Sequence, residues 1–195
     1  MRKLVAIEFL SVDGVMQGLG SPDEDREGGF EHGGWGAPYV EEVHTTTSAG
    51  GFANTTAYLF GRKTYEKMAA HWPFVPEDNP IAAHLNTTQK YVATTTLTAF
   101  DWHNTQGLRG DVTAQVRALK QSGTGDIAIL GSGALVRSLL RDDLIDTLRL
   151  FIHPLLLGSG KKLFGELAFP RPLTLTRTDT TSLGSIALSY DLTPR

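Results

Sequence analysis

The chain has 195 residues, and its length and composition predict one domain spanning residues 1–195 with enough apolar side chains for a core. A net charge of −3 gives no support for nucleic acid or an anionic membrane as a partner, and the absence of cysteine excludes disulfides and cysteine nucleophiles. No run approaches the roughly 18 apolar residues of a membrane span. The apolar stretch at the amino terminus is interrupted by Glu8 and Asp13, which makes it a poor signal peptide and favours a cytoplasmic protein.

Strand and helix patterns alternate along most of the chain. Strands are predicted at residues 4–10, 57–60, 90–94, 126–130 and 147–153. Helices are predicted from residue 38 to about 50, and at 62–70, 80–86, 111–121 and after 133. Residues 173–178 and 185–192 read as a closing hairpin. The pattern predicts an α/β fold with a mixed, mostly parallel sheet, helices on both faces and an antiparallel edge.

The most informative local pattern is an apolar run that ends at Gly61 and is followed by a helix opening with Arg62, Lys63 and Thr64. The free N–H groups of a helix start, beside two cations and a hydroxyl, suit an anion such as a phosphate. The alternative is a plain strand–turn–helix joint with solvated cations.

A second pattern of this kind follows the strand at residues 126–130. Its turn and helix start are Gly131, Ser132, Gly133, Ala134 and Leu135. Glycines would let the backbone approach a pyrophosphate, although a tight turn alone also explains them. The dinucleotide-binding fingerprint is disfavoured, because its third glycine is replaced and the expected acidic residue is missing. The six histidines are scattered, so no metal site is predicted.

Four segments, in order, resemble the dihydrofolate reductase superfold, most closely its bacterial branch related to the reductase domain of riboflavin biosynthesis. Residues 11–16 resemble the Ser-Leu-Asp-Gly turn after the first strand of that family. Residues 59–66 resemble its Gly-Arg-x-Thr-(aromatic)-Glu element, and residues 129–140 resemble its Gly-x-Gly strand–helix. Residues 153–164 resemble its Pro-x-x-Leu-Gly-x-Gly loop.

The resemblance implies NADPH as the cofactor. Arg62 matches the cation at the adenosine 2′-phosphate, with Thr94 and Thr95 nearby. Thr64 and residues 131–135 match the pyrophosphate cradle, and Phe9 and Met16 match the backbone positions at the nicotinamide.

Two departures leave the substrate open. The position of the pterin-binding carboxylate falls near residues 45–46, which are threonines, and Ile7 stands where riboflavin-pathway enzymes commonly have a lysine. The predicted function is hydride transfer from NADPH to a small heterocycle resembling a pterin or 5-amino-6-ribosylaminouracil. A nucleotide-binding regulatory protein without turnover is the alternative.

Three side chains are the candidates for the substrate side. Glu8 lies mid-strand, where a carboxylate is costly unless paired or protonated, so it is a candidate proton donor or orienting group. The alternative for Glu8 is a carboxylate that is hydrogen-bonded to a neighbouring loop or exposed at the end of the sheet. Asp13 is a second carboxylate, expected to serve mainly its turn. Trp35, in the glycine-rich loop 18–36, is a candidate stacking surface. By analogy with the riboflavin branch, the apolar hairpin predicts a homodimer.

Overall fold

The computed structural model describes residues 1–39, 52–165 and 169–192. Within them, eight strands form one sheet in the order β4-β3-β2-β5-β1-β6-β8-β7. The strands are β1 Leu4–Ser11, β2 Thr55–Gly61, β3 Gln89–Ala93, β4 Thr105–Leu108, β5 Asp126–Leu130, β6 Thr147–His153, β7 Leu173–Thr180 and β8 Ile186–Leu192. Strands β1 to β6 pair with one another in parallel, while β8 is antiparallel to both β6 and β7.

Helices cover both faces of the sheet. They are α1 Arg62–Ala69, α2 Pro80–Thr87, α3 Val112–Gln121 and α4 Gly133–Arg141, and short 3₁₀ turns lie at Glu27–Gly29, Ala37–Tyr39 and Trp72–Phe74. Apolar residues of α3 and α4 pack in one core cluster, whereas those of α1 and α2 pack in the other. The predicted fold class is therefore confirmed.

Strand β1 separates the two core clusters because successive side chains of a strand point to opposite faces. Ala6 and Leu10 belong to the cluster under α3 and α4, and Val5 and Ile7 belong to the cluster under α1 and α2. This placement explains why β1 has no polar alternation, as expected for a central parallel strand.

The largest departure from the predicted elements is β4, whose sequence Thr-Gln-Gly-Leu is short and lacks apolar alternation. It forms because its backbone pairs in parallel with β3, a tertiary contact that a local pattern does not contain. Of the helix predicted from residue 38, only a 3₁₀ turn at Ala37–Tyr39 falls within the described residues. The helix predicted at 111–121 is confirmed, and Asp111 caps its start, since Oδ1 of Asp111 accepts the N–H of Ala114 at 2.9 Å.

The amino ends of the strands are closed by polar side chains that have partners. Asp146 accepts a hydrogen bond from the backbone of Leu4 at 2.7 Å and pairs with the ammonium of Lys120 at 2.7 Å. Arg2 donates to the carbonyl of Gly125 at 3.1 Å and to the hydroxyl of Thr56 at 2.8 Å. In the described part of the chain, no helix is long and apolar enough to cross a membrane.

Candidate active site

The two glycine turns singled out in the sequence lie side by side. Strands β2 and β5 are parallel neighbours, so the turns that follow them meet at the carboxyl edge of the sheet. The N–H of Gly61 donates to Oγ of Ser132 at 3.0 Å. A Cβ placed on Gly131 would lie 3.7 Å from Cγ2 of Thr64. The two helix starts that are candidates for phosphate binding therefore lie next to each other and form one candidate site.

From these adjacent turns, α1 runs along one face of the sheet and α4 along the other. Neither helix has a side-chain hydrogen bond at its N-cap, so the orphan N–H groups of both starts have no capping side chain. A crevice at the carboxyl ends of parallel strands, where successive helices go to opposite faces, is where open α/β sheets bind ligands. The position and the donors suit an anionic group.

The turn before α4 holds its backbone in an unfavourable conformation. Gly131 and Ser132 both have left-handed φ angles, 61° and 63°. For a residue with a side chain, such as Ser132, this conformation costs on the order of 1–2 kcal/mol. The bond from Gly61 fixes Ser132 there, so the contact between the turns holds this strained geometry.

Gly133 has a packing reason for its lack of a side chain. Its φ is not in the left-handed region, but a Cβ there would overlap Sδ of Met16 and lie 2.9 Å from Cε. Gly133 therefore makes room for Met16, and its predicted role in the approach of a pyrophosphate stays a prediction.

The cations at the start of α1 are paired with carboxylates. Nη1 of Arg62 lies 2.8 Å and 2.9 Å from the two carboxylate oxygens of Glu66, one turn along the helix. Nζ of Lys63 lies 2.8 Å from Oε2 of Glu27. The side chains of Arg62 and Lys63 remain 39% and 65% exposed, so both can exchange these partners for a ligand.

Thr94 and Thr95 follow β3, the neighbour of β2, and lie at the same edge of the sheet. Oγ1 of Thr94 accepts the N–H groups of Thr96 and Leu97, which makes Thr94 a buried turn former. Thr95 is exposed beside it. Of the two predicted hydroxyls, Thr95 is the one open to a ligand.

Glu8 lies where β1 and β5 separate. Their pairing ends at Ile7 and Leu130, after which the N–H of Gly131 still reaches the carbonyl of Ile7 at 3.2 Å. Glu8 is 1% exposed, and its Oε1 has no hydrogen-bond partner. Burial raises the pKa of Glu8 well above its usual value, although the positive charge of Arg137 acts in the opposite direction. The alternative of a carboxylate satisfied by a loop therefore does not hold for Oε1.

Phe9 belongs to the opposite face from Glu8, and there it joins a stack of rings. Its ring centroid lies 4.9 Å from that of Phe151 and 6.3 Å from that of His153. Tyr39 stacks on His153 at 4.5 Å, and the Oγ of Ser185 lies 2.8 Å from Nδ1 of that histidine. Burial lowers the pKa of His153 to about 4, so its imidazole is neutral at physiological pH. Sequence analysis missed His153 because the pairing of β1 with β6 creates this stack.

Asp13 serves the turn after β1. Its carboxylate accepts hydrogen bonds from the hydroxyl of Ser11 at 2.6 Å and from the N–H groups of Leu157 and Gly158 at 3.2 Å and 2.8 Å. These bonds lower the pKa of Asp13 to about 2, the bond from Ser11 most. A carboxylate ionised at neutral pH has no proton to donate, so the structure favours the turn role over the predicted catalytic one.

Trp35 lies inside the glycine-rich loop. Its indole N–H donates to the carbonyl of Gln17 at 2.7 Å, and the side chain packs with Val15 and Phe30. With only 8% of the residue exposed, the ring offers little surface to a substrate. Trp35 therefore stabilises the loop from within, and its predicted stacking role stays a prediction.

The acidic run of this loop is held by lysines. Glu27 pairs with Lys63 and also with Lys161, at 2.7 Å, while Asp25 pairs with Lys161 at 2.7 Å. The side-chain amide of Gln17 donates to the carbonyls of Asp25 and Glu27. The loop is therefore fastened to the first turn of α1.

Comparison with known proteins places this site in a family. The model of the RibD C-terminal domain matches residues 2–187. The uncharacterized protein YyaP of Bacillus subtilis is 29% identical over 136 residues, which cover 68% of this chain and 71% of YyaP. The chain belongs to the RibD C-terminal domain family, as the resemblance implied, and this membership supports a reductase-like role.

Solved structures share the fold at low sequence identity. A putative riboflavin biosynthesis protein from Shewanella sp. PV-4 has a TM-score of 0.67 at 17% identity, with 98% of this chain and 99% of that chain covered. A diaminohydroxyphosphoribosylaminopyrimidine deaminase/5-amino-6-(5-phosphoribosylamino)uracil reductase from Thermotoga maritima has a TM-score of 0.61 at 11% identity. The match covers 98% of this chain and 57% of that longer protein.

Proposed function

We propose that this protein is an NADPH-dependent reductase that transfers a hydride to a small heterocyclic substrate. The observation that carries the proposal is the contact between the two glycine turns, Gly61 with Ser132, which joins two uncapped helix starts at the carboxyl edge of the sheet. Donors from both starts converge on one anion-binding crevice. When bound, the nicotinamide would supply the hydride, and the chain would position it and exclude water.

In this proposal, the residues at the carboxyl edge of the sheet bind the cofactor from its adenosine end to its nicotinamide end. Arg62 would hold the adenosine 2′-phosphate, with Thr95 beside it. The N–H groups at Thr64 and at the start of α4 would hold the pyrophosphate, and the backbone of Phe9 and Met16 would hold the nicotinamide. The exposed pair of Arg62 with Glu66 is no obstacle, because such pairs contribute roughly 0–1 kcal/mol. A guanidinium–phosphate contact is stronger, since it can be bidentate and charge-assisted.

For the substrate we propose a flat heterocycle of the pterin or aminouracil class. The support is family membership and the name of the Thermotoga maritima neighbour, an aminouracil reductase. The neutral ring stack at the ends of β1 and β6 provides apolar, polarisable surface next to the proposed nicotinamide position. Residues 45–46, where a pterin-binding carboxylate would be sought, lie outside the described residues.

Glu8 is the acid of this site, and two roles are open to it. It could donate the proton that accompanies the hydride, or it could be a polar partner of the nicotinamide ring. Its side chain lies on the α4 face, opposite Phe9, which favours the second role.

A homodimer is the proposed assembly. Strand β7 lies at the edge of the sheet, where its unpaired backbone groups can pair with another chain. Leu173 and Leu175 on β7 are 38% and 51% exposed, and Ile186 on β8 is 39% exposed. Light scattering at micromolar concentration should give twice the monomer mass, and a monomer would contradict this assembly.

The experiment that tests the function is calorimetric titration of NADPH and NADH. We expect NADPH to bind at least about ten-fold more tightly, because Arg62 contacts the 2′-phosphate that NADH lacks. Arg62→Ala should remove most of that difference. Arg141→Ala, an exposed arginine at the far end of α4, should leave it unchanged. Equal affinities of the wild type for the two nucleotides would contradict the assignment.

The alternative, a protein that binds the nucleotide without turnover, predicts the same titration. It differs in single-turnover oxidation of NADPH with pterins and aminouracils. A reductase should oxidise the cofactor with a member of these classes, whereas a regulatory protein would only be stabilised by it. Absence of oxidation with every member of both classes would favour the regulatory protein.

A further inference from the structure

The carboxyl group of Glu8 has an unmet hydrogen-bonding capacity in the interior of the protein. Its Oε1 is the only side-chain oxygen or nitrogen among the described residues that is both buried and without a partner. Leaving a buried polar atom unpaired costs about 1–3 kcal/mol, so such an atom needs an explanation. A ligand group that supplies a donor would recover this cost.

Arg137 does not meet this need. Its guanidinium donates to the carbonyls of Lys162 and Leu163, at 3.0 Å and 3.4 Å, and within the described ranges Glu8 forms no ion pair. A buried carboxyl group without a direct countercharge stays protonated, because charging it in a low dielectric is costly. Glu8 therefore offers both an O–H donor and a carbonyl acceptor.

The position of Glu8 connects it with the proposed nucleotide site. It is the first residue of β1 beyond the pairing with β5, and it lies on the α4 face of the sheet. The head group of its electrostatic neighbour Arg137 lies over the first residue of α4, since a Cβ on Gly133 would be 3.6 Å from Nη1. Glu8 thus lies beside the helix start that carries the candidate pyrophosphate donors.

The geometry points to Glu8 as the residue that recognises the carboxamide of the nicotinamide ring, through an acid–amide pair of two hydrogen bonds. This inference rests on the proposed function. The protonated acid donates its O–H to the amide carbonyl, and its own carbonyl oxygen accepts an amide N–H. In the nicotinamide half of the cofactor, the primary carboxamide is the group that offers a donor and an acceptor side by side. No charge is buried and no bond is broken.

The test compares two oxidised nucleotides that differ only at this group. NADP⁺ carries the carboxamide, whereas its 3-acetylpyridine analogue keeps the carbonyl and lacks the N–H. We expect wild type to bind NADP⁺ about three- to ten-fold more tightly in calorimetry, the range for one net hydrogen bond. Glu8→Met should remove this preference, because the thioether is close in size and neither donates nor pairs with the amide. Glu8→Gln should retain it, because two amides also pair through two hydrogen bonds.

Leu150→Met is the matched packing control, since Leu150 lies opposite Glu8 in the β1–β6 register, and it should leave the preference unchanged. Glu8→Met should fold, because it removes an orphaned polar atom, and its melting temperature checks this. Equal affinity of the wild type for the two nucleotides, or an undiminished preference in Glu8→Met, would overturn the role of Glu8. If the wild type bound neither nucleotide, the proposed function itself would fail.

Discussion

The two ends of β1 treat a neighbouring carboxyl group in opposite ways. At the amino end, Asp146 accepts the N–H of Leu4 and pairs with Lys120, whose ammonium also donates to the carbonyl of Leu144 at 2.7 Å. At the carboxyl end, Glu8 is more deeply buried, and its Oε1 has no partner. At the amino end, the carboxylate has all its partners within the chain. At the carboxyl end, Glu8 keeps an unused hydrogen-bonding atom that a ligand could meet.

The backbone shows the same contrast. The carboxyl end of the sheet contains Ser132 in a left-handed conformation and two helix starts without a capping side chain. Strain and unpaired polar groups persist where the surrounding structure holds them, and they concentrate at functional sites. The comparison therefore assigns stability to the amino end and ligand binding to the carboxyl end.

Removing the satisfied carboxylate should have the largest effect on stability. Asp146→Ala leaves Lys120 buried without a countercharge and the N–H of Leu4 without its acceptor. We expect the free energy of unfolding to fall by about 3 kcal/mol, measured by urea denaturation. Lys3→Ala is the control, because its pair with Asp191 is exposed and should contribute at most about 1 kcal/mol. A loss for Asp146→Ala no larger than that of the control would remove the contrast between the two ends.

The next largest effect concerns Gly133. Gly133→Ala places a methyl group against Sδ and Cε of Met16. Because these atoms end a flexible side chain that can shift, the loss should be about 1 kcal/mol, the low end for overpacking. Adding Met16→Ala should recover a large part of the loss, because it removes the atoms that overlap. A double-mutant cycle in urea measures this coupling. Strictly additive losses would show that Gly133 is required for another reason, such as the approach of a pyrophosphate.

Glu8→Gln should raise stability by a small, pH-dependent amount. Burial raises the pKa of Glu8 in the folded state, so above the ordinary value of 4.5 the unfolded chain releases this proton first. The folded state then binds more protons, and the contribution of Glu8 to stability falls as pH rises toward the raised folded pKa. The melting temperature of Glu8→Gln should therefore exceed that of the wild type by roughly 2–4 °C at pH 7, with a smaller difference near pH 4. A difference that stays constant between pH 4 and pH 7 would show that Glu8 is not protonated in the folded state.

The sequence predicted those features that depend on local chemistry. The apolar run of β1, the Asp111 cap of α3 and both glycine turns each follow from neighbouring residues and agree with the structure. The contact of Gly61 with Ser132 depends on β2 and β5 being neighbours, although 64 residues separate the end of one from the start of the other. Pairing of this kind is not written in a local pattern.

The errors at the site have the same physical origin. The mid-strand position of Glu8 predicts a buried carboxyl group that is costly to ionise. Whether its side chain faces α4 depends on how the helices pack on the sheet. Trp35 is a candidate stacking surface by its sequence alone, but its ring packs inside the loop and its N–H donates to Gln17. The partners of Glu27, Lys63 and Lys161, come from distant parts of the chain. Motifs locate candidate residues, whereas tertiary contacts decide which of them remain available to a ligand.

The central claim, that the carboxyl end of the sheet is the nucleotide site, is tested most directly by amide hydrogen exchange with and without NADPH. Saturating NADPH should slow exchange at residues 62–64 and 132–134, whose N–H groups would bond to phosphate oxygens. It should have no comparable local effect at Leu4 and Asp126, whose N–H groups already have acceptors at 2.7 Å. Protection concentrated at the two glycine turns would support the account. Unchanged exchange at both turns, under conditions where calorimetry shows NADPH bound, would contradict it.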